Sequence, residues 1–151
     1  MCLTAIFFKT VRFRRAEASF KGKAFRLDIA DSLPKKMLGL MYREGIKPDE
    51  GMVFNFGRTG RYDIWMLNMK FPIDIIWLDK DANIIKIAAD AQPCHSMLSC
   101  KAYASPENAM YVVELASGTA KAGGMAEGSR FILPNIKGFH GKYTTDNHAR
   151  G

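Results

Sequence analysis

The sequence has no long apolar run. A membrane-spanning helix needs about 18 consecutive apolar residues, and no segment of this chain approaches that length. Residues 3–8 are apolar but short, and basic residues follow them, whereas a secretory signal has its basic residues first. The chain as it stands is therefore predicted to be soluble and cytoplasmic. An omitted upstream signal peptide would instead make it secreted or periplasmic.

Familiar catalytic motifs are also missing. The chain contains no GxSxG nucleophile elbow, no GxGxxG turn and no Walker loop. Catalysis through an activated serine, nicotinamide chemistry and nucleotide hydrolysis therefore have no support. We predict no cofactor, and the sequence favours a non-catalytic protein over an enzyme.

Cysteine and histidine are scarce, with three residues of each type. Cys94, His95 and Cys100 form the one metal-like cluster, but their C-H-x4-C spacing lacks the paired CxxC of structural zinc sites. No metal site is predicted. We expect Cys94 and Cys100 to form a local disulfide in an oxidising compartment and to remain free thiols in the cytoplasm.

Acidic residues are rare in the first segment, residues 9–26, which contains seven basic residues and only one acidic residue, Glu17. The net charge of +7 arises largely there, and the remainder of the chain is nearly neutral. Such a basic edge can bind an anionic partner, although a solvated strand face uses the same residues. Nucleic acid is not a favoured partner, because no helix-turn-helix, ribonucleoprotein or zinc-finger pattern accompanies the charge. The basic residues are Lys9, Arg12, Arg14, Arg15, Lys21, Lys23 and Arg26.

What the sequence does contain is the length and apolar content of one domain, with 151 residues of which 48% are hydrophobic. We predict a single β-rich domain over residues 1–135 and a polar C-terminal tail over 136–151. Alternating apolar residues and turn signals predict many strands, and the strands at 73–79 and 84–89 should pair antiparallel across a tight turn. Other strands are predicted at residues 6–13, 18–20, 24–30, 52–56, 62–67, 110–116 and 130–133.

Two helical segments are predicted. Ser32 can cap a helix over residues 32–41, with Pro34 in its first turn. Gly39 weakens this helix and should allow close packing against a sheet. A short helical turn is expected near residues 119–125. Residues 90–108 have no clear periodicity and form a candidate functional loop.

Six short motifs are distributed over residues 25–133: GLMYR at 39–43, GMVFNF at 51–56, WMLN at 65–68, PIDIIWLD at 72–79, YVVELASG at 111–118 and GSR at 128–130. In order and spacing they resemble those of the domain-of-unknown-function family 192, also called UPF0127. The resemblance implies a small, mainly β fold, similar to a jelly roll or a distorted barrel or sandwich, with one packed helix, and it implies no activity. The chain departs from the family pattern at Met69, where Thr is common, and at Ser129, where Asp is common.

The segment from residue 62 to residue 79 carries the most unusual polar residues of the chain. Asn68 follows Trp65 at the point where a predicted strand ends in an irregular link. The two side chains are predicted to face a polar ligand. Alternatively, Asn68 bonds to the backbone of the link and Trp65 is part of the core. Asp74 lies within an apolar run, where a carboxylate needs a cation or several donors. We nominate Arg43 as its partner and Arg130 as the second choice. Structural anchoring is the favoured role of Asp74.

Three functional hypotheses follow. The first is a non-catalytic domain that binds a small polar molecule, such as a saccharide, or a partner segment in a cleft around Arg43, Trp65, Asn68 and Asp74. The second is a hydrolase-like or lyase-like enzyme that uses Asp74 or Glu114 as a base. The third is an interaction module that binds anionic partners through the basic N-terminal segment. The sequence leaves the oligomeric state open.

Overall fold

A computed structural model describes residues 10–134 of the chain. The predicted tail at 136–151 and the first part of the strand predicted at 6–13 lie outside these residues. The regular elements are β1 (Arg14–Phe20), β2 (Lys23–Ala30), α1 (Leu33–Leu38), β3 (Glu50–Gly60), β4 (Ile73–Leu78), β5 (Ile84–Ala91), β6 (Ala109–Ala116) and α2 (Thr119–Ala122).

The six strands form one sheet in the order β1-β2-β3-β6-β4-β5. The pairing of β2 with β3 is parallel, because the chain returns to the same edge through α1, and every other pairing in this sheet is antiparallel. The mainly β fold with one helix packed beside it is confirmed, as is the antiparallel pairing of β4 and β5. Over residues 10–134 the sheet is open and mixed, and it does not close into a barrel.

The two faces of the sheet carry different side chains, because successive residues of a strand point to opposite sides. One row of paired residues crosses the four central strands and consists of Ile29, Val53, Val113 and Ile76. The side of the sheet to which these side chains point is called face A. The next row is Asp28, Met52, Glu114 and Ile75, on the side we call face B. Two of the four residues in the face B row are therefore acidic.

Each face has its own apolar core. The core on face A includes Phe20, Phe25 and Phe131. The centre of the Phe131 ring lies 5.5 Å from that of Phe20 and 5.9 Å from that of Phe25. The core on face B is built on Met52, Phe54, Ile75 and Trp77, and the loops after α1 and around residues 62–71 cover it. The site described below lies on face B.

Helix α1 is shorter than the predicted 32–41, and it ends at Leu38. Gly39 follows with φ of 50°, a left-handed value that favours glycine. A Cβ atom at this position would lie 3.3 Å from the Phe54 ring, so the close approach of this turn to β3 also favours glycine. The prediction that Gly39 permits close packing on the sheet is confirmed.

Two predicted strands do not form, and the described part of a third, residues 10–13, is not a strand either, because β1 begins at Arg14. Residues 62–67 make single bridges, Ile64 with Tyr103 and Leu67 with Cys94, instead of a continuous ladder. Residues 130–133 likewise make single bridges rather than a strand. Apolar alternation was a misleading signal here. Residues 62–67 cover face B, and residues 130–133 bridge only at single positions to Ser19 on the edge strand β1 and to Asn83 beside the edge strand β5. No helix within residues 10–134 is long and apolar enough to cross a membrane.

Candidate functional site

A cavity of about 140 Å³ lies on face B, between the turn after α1, the segment at residues 63–69 and the strands β3 and β6. Most of its walls are apolar. Three titratable side chains also line it: Lys36, Asp63 and Glu114. The remaining lining residues are Met37, Leu38, Gly39, Leu40, Met41, Phe54, Phe56, Ile64, Trp65, Met66 and Met69.

Glu114 is the most unusual of the three. Only 4% of this residue is exposed, and its carboxyl group has no hydrogen bond or ion pair to another residue between 10 and 134. Burial raises the pKa of Glu114 to about 8, although the charge of Arg43 acts in the opposite direction. The carboxyl group is therefore mostly protonated at neutral pH. It can both donate and accept a hydrogen bond within the cavity.

Lys36 belongs to α1, and Asp63 belongs to the segment that covers face B. The Lys36 ammonium group lies 5.0 Å from the centre of the Phe56 ring. Burial lowers the pKa of Lys36, while Asp31 favours its charged form. Asp63 accepts a hydrogen bond from the Ser105 amide at 2.8 Å and lies near Arg61. The cavity thus contains one protonated carboxyl and one partly desolvated amine.

Arg43 does not pair with Asp74, and that prediction is wrong. The Arg43 guanidinium donates to Asp28 Oδ2 at 2.8 Å, and Arg15 donates to Asp28 Oδ1 at 2.9 Å. Asp28 lies in the face B row, two strands away from Glu114. Arg43 therefore fastens the segment after α1 to the sheet, and it stands close enough to act on Glu114 electrostatically.

Asp74 is completely buried on face A, away from the cavity. Its two carboxylate oxygens accept hydrogen bonds from the backbone amides of Asp90 at 2.9 Å and of Ala120 at 2.8 Å. Neither Arg43 nor Arg130 forms an ion pair with it in the described chain. Asp74 joins the end of β5 and the start of α2 to β4, so this geometry matches structural anchoring. Asp74 and Glu114 lie on opposite faces and cannot act as an acid/base pair.

Asn68 and Trp65 occupy the edge of the site. Asn68 has φ of 57°, and its amide side chain donates to the Tyr42 hydroxyl at 3.0 Å. Its backbone carbonyl accepts from the Tyr42 amide, and its own amide donates to Cys94. Asn68 therefore holds three loop segments together. Trp65 lines the cavity with 43% of its surface exposed, so of the two residues only Trp65 can touch a ligand there.

Comparison with known proteins assigns the chain to a family. Residues 15–133 match the family described as DUF192, an uncharacterized ACR. This chain belongs to the DUF192 family. No curated protein matches the sequence.

Two solved structures share the DUF192 fold of this chain. One, from Sinorhizobium meliloti 1021, is described as a putative transcription regulator; it is 32% identical, with a TM-score of 0.71, and the match covers 80% of this chain and 95% of that one. The other is a protein of unknown function from Novosphingobium aromaticivorans DSM 12444. It is 24% identical, with a TM-score of 0.75, and the match covers 82% of this chain and 89% of that one.

The candidate loop at residues 90–108 packs beside the segment that lines the cavity of this DUF192 domain, and no residue of the loop lines the cavity itself. Cys94 and Cys100 form a disulfide, with their Cα atoms 5.4 Å apart. The Cys94 amide donates to Met66 at 3.1 Å, and the Tyr103 amide donates to Ile64 at 2.7 Å. Among residues 10–134, no group of three or more His, Cys, Asp or Glu side chains is arranged to hold a metal ion. The loop thus supports the segment that lines the cavity.

The five residues proposed from the sequence do not form one cleft. Trp65 and Glu114 line the cavity. Arg43 binds Asp28 and Asn68 binds Tyr42, and neither residue lines the cavity. Asp74 lies on the other face of the sheet. Lys36 and Asp63 were not anticipated. Helical spacing could have placed Lys36 on the same turn as Leu40, but nothing local indicates that Asp63 approaches the helix.

Proposed function

We propose that this DUF192 domain is a binding protein whose cavity on face B holds a small, mainly apolar molecule with one polar group. The side chain of a partner segment would satisfy the same requirement. The observation that carries the proposal is Glu114, a buried carboxyl that lines the cavity and has no hydrogen-bond partner within residues 10–134. Among residues 10–134, no side-chain oxygen or nitrogen that is sealed from solvent lacks a partner. The Glu114 carboxyl therefore opens to the cavity, where a ligand can supply the hydrogen bond that the protein does not.

The size and walls of the cavity limit the class of ligand. A cavity of about 140 Å³ is close to the roughly 150 Å³ that accommodates benzene in an engineered apolar cavity. A saccharide of similar size would bring several hydroxyl groups against Phe54, Met66 and Met69, where they would lack partners. The cavity therefore fits a molecule with an apolar body better than a sugar.

The protonation state of Glu114 limits the polar group of the ligand. Because its pKa is about 8, the carboxyl donates a hydrogen bond at neutral pH and can also accept one. An alcohol, carbonyl or amide can pair with it without bringing a second charge into the cavity. We therefore expect an uncharged ligand.

Benzyl alcohol is a suitable first probe, because it combines a benzene-sized body with one hydroxyl group. We expect it to bind at millimolar concentration, measured by chemical-shift changes of the Trp65 indole and of the Met66 and Met69 methyl groups. Glu114→Gln should still bind, because an amide also donates and accepts. Glu114→Leu should lose most of the affinity, and Glu107→Leu, at an exposed position, is the control. Equal binding by Glu114→Leu, or no shift in the wild-type protein, would contradict the proposal.

A catalytic use of the same cavity is the second candidate. It is favoured by one observation: burial moves the pKa of Glu114 upward and that of Lys36 downward, and both side chains line the cavity. Glu114 could then serve as a general base or acid, whereas Asp74 is enclosed on the other face. A library of small esters, amides and lactones tests this. Turnover that persists in Glu114→Gln would exclude Glu114 as the base.

The basic N-terminal segment has less support as a binding surface. Arg14, Arg15 and Arg26 form ion pairs with Asp31, Asp28 and Asp49 at 2.8 to 2.9 Å. These arginines are thus already engaged within the fold. Binding to DNA, RNA or another polyanion through this edge would have to decrease steeply with salt, and flat salt dependence would refute it.

A further inference from the structure

Exposed apolar side chains are concentrated on the segments that line the cavity and on the disulfide loop that supports them. Seven large hydrophobic residues are exposed in the described chain, and six of them belong to α1, the turn after it, the segment at 63–69 or the disulfide loop. The seventh, Ile132, bridges to Ser19 on β1, at the opposite edge of the sheet. We call the six the apolar rim: Leu33, Met37, Tyr42, Trp65, Met97 and Leu98.

The segments that carry the apolar rim are in direct contact. Met37 and Trp65 line the same cavity. Asn68 joins Tyr42 to Cys94 through hydrogen bonds of 3.0 Å to each. Cys94 begins the disulfide loop, and the loop presents Met97 and Leu98 at its tip. The rim is therefore one neighbourhood of the surface, and isolated exposed residues need no such arrangement.

Three lysines that have no ion pair lie on or beside the segments that carry the rim. Lys36, Lys86 and Lys101 form no ion pair within residues 10–134. Lys36 lies beside the cavity, Lys86 donates to the carbonyl of Ala104, and Lys101 lies 6.0 Å from the Tyr103 ring, next to the disulfide. Glu107 is the one carboxylate of the disulfide-bearing loop, residues 92–108, and it too is without an ion pair. The rim thus combines apolar side chains with a positive charge.

We propose that the apolar rim docks this domain on an anionic lipid surface, with Met97 and Leu98 inserted among the lipid chains. Leu98 is fully exposed and Met97 is 70% exposed, so both protrude instead of lining a groove. Protruding apolar side chains suit lipid, which moulds around them, better than a protein partner, which needs a matching pocket. Tyr and Trp favour the interfacial region, and lysines favour anionic headgroups.

The disulfide loop lowers the entropic cost of inserting Met97 and Leu98. Cys94–Cys100 closes the loop, and the backbone bonds of Cys94 to Met66 and Asn68 fix its base. The loop therefore presents Met97 and Leu98 without having to become ordered on binding. Met37 and Trp65 belong to the rim and also line the cavity, so docking through the rim would bring the cavity close to the lipid.

The test is co-sedimentation with vesicles of phosphatidylcholine and phosphatidylserine in about a 2:1 ratio. We expect the full chain to bind, and Met97→Ser/Leu98→Ser to bind at least about tenfold more weakly, because two large apolar side chains no longer enter the bilayer. The matched control is Ile132→Ser, which removes a side chain of similar exposure on another edge and should bind like the wild type. Both variants should fold, since these side chains are largely in solvent.

The charge component is tested separately. Lys101→Gln should weaken binding roughly fivefold, while Lys80→Gln in the β4–β5 turn should not. Raising the salt from about 0.1 M to about 0.5 M should weaken wild-type binding. No binding to these vesicles, or equal weakening by Met97→Ser/Leu98→Ser and Ile132→Ser, would overturn the proposal. Binding of a protein partner that is lost in Met97→Ser/Leu98→Ser, with no vesicle binding, would reassign the rim to that partner.

Discussion

Three carboxylates are buried in this sheet, and each has a different environment. Asp28 receives two guanidinium groups, Asp74 receives two backbone amides, and Glu114 receives no hydrogen bond within residues 10–134. Desolvation disfavours a charged carboxylate unless partners compensate for it. For Glu114 no hydrogen-bond partner compensates for the desolvation of the charged form, so the carboxyl group becomes protonated instead.

The first prediction concerns the pH dependence of stability. The pKa of Glu114 is raised from 4.5 to about 8 in the folded state, so the folded protein binds a proton that the unfolded chain releases above about pH 4.5. The protonated Glu114 therefore contributes fully to the free energy of unfolding below about pH 4.5. This contribution, on the order of a few kcal/mol, is lost as the pH rises toward 8. Urea unfolding across this range should show the decrease in the wild type but not in Glu114→Gln. A parallel decrease in both proteins would contradict the assignment.

The second prediction concerns Asp74. In Asp74→Ala, the amides of Asp90 and Ala120 lose their acceptor in a buried environment, and we expect a loss of about 3 kcal/mol of unfolding free energy. Binding of benzyl alcohol at the cavity should persist, since Asp74 lies on the other face. Asp81→Ala, at an exposed turn, is the control. Unchanged stability with lost binding would instead place Asp74 in the functional site.

At the scale of elements, the wall of the cavity depends on a segment without regular structure. Residues 63–69 are held by single bridges to Cys94 and Tyr103 and by the contact of Asn68 with Tyr42. Such isolated bonds open more readily than the ladders of a sheet. The disulfide is the covalent part of this support, so it should control how often the wall opens.

The third prediction follows from that support. Reduction of Cys94–Cys100, or the Cys94→Ser/Cys100→Ser variant, should speed hydrogen exchange of the Ile64 and Asn68 amides several-fold. Both amides donate to the supporting loop at 3.0 to 3.1 Å. The Val113 amide, in the centre of the sheet, serves as the internal reference and should be unaffected. Equal exchange before and after reduction would show that the disulfide does not support the wall.

Most of the sheet could be predicted from sequence, whereas the site could be predicted only in part. Period-two alternation located β2, and apolar runs bounded by turn signals located β4, β5 and β6. The same alternation at 62–67 failed, since that segment covers a face of the sheet and Asn68 turns out of it with a positive φ. The partners of Asp74 are backbone amides 16 and 46 residues further along the chain. No pattern of residue types reveals such partners.

At the scale of the whole molecule, the open sheet separates structural and binding roles between its faces. Face A holds an apolar core and the Asp74 anchor. Face B holds the cavity, the row from Asp28 to Glu114, and the loops that carry the apolar rim. An electrostatic link crosses face B, because Arg43 binds Asp28 and also acts on Glu114, roughly 10 Å away along the row.

This link gives the last prediction. Arg43 lowers the pKa of Glu114, so Arg43→Gln should raise it further, and the ¹³C shift of the Glu114 carboxyl should titrate at a higher pH than in the wild type. Benzyl alcohol should then bind up to a higher pH, because the protonated carboxyl donates the hydrogen bond. Arg26→Gln removes an exposed arginine from the Asp49 ion pair and should leave the titration unchanged. If both variants titrate like the wild type, then the ion pair with Asp28 neutralises Arg43 completely, and the cavity is electrostatically independent of the edge of the sheet.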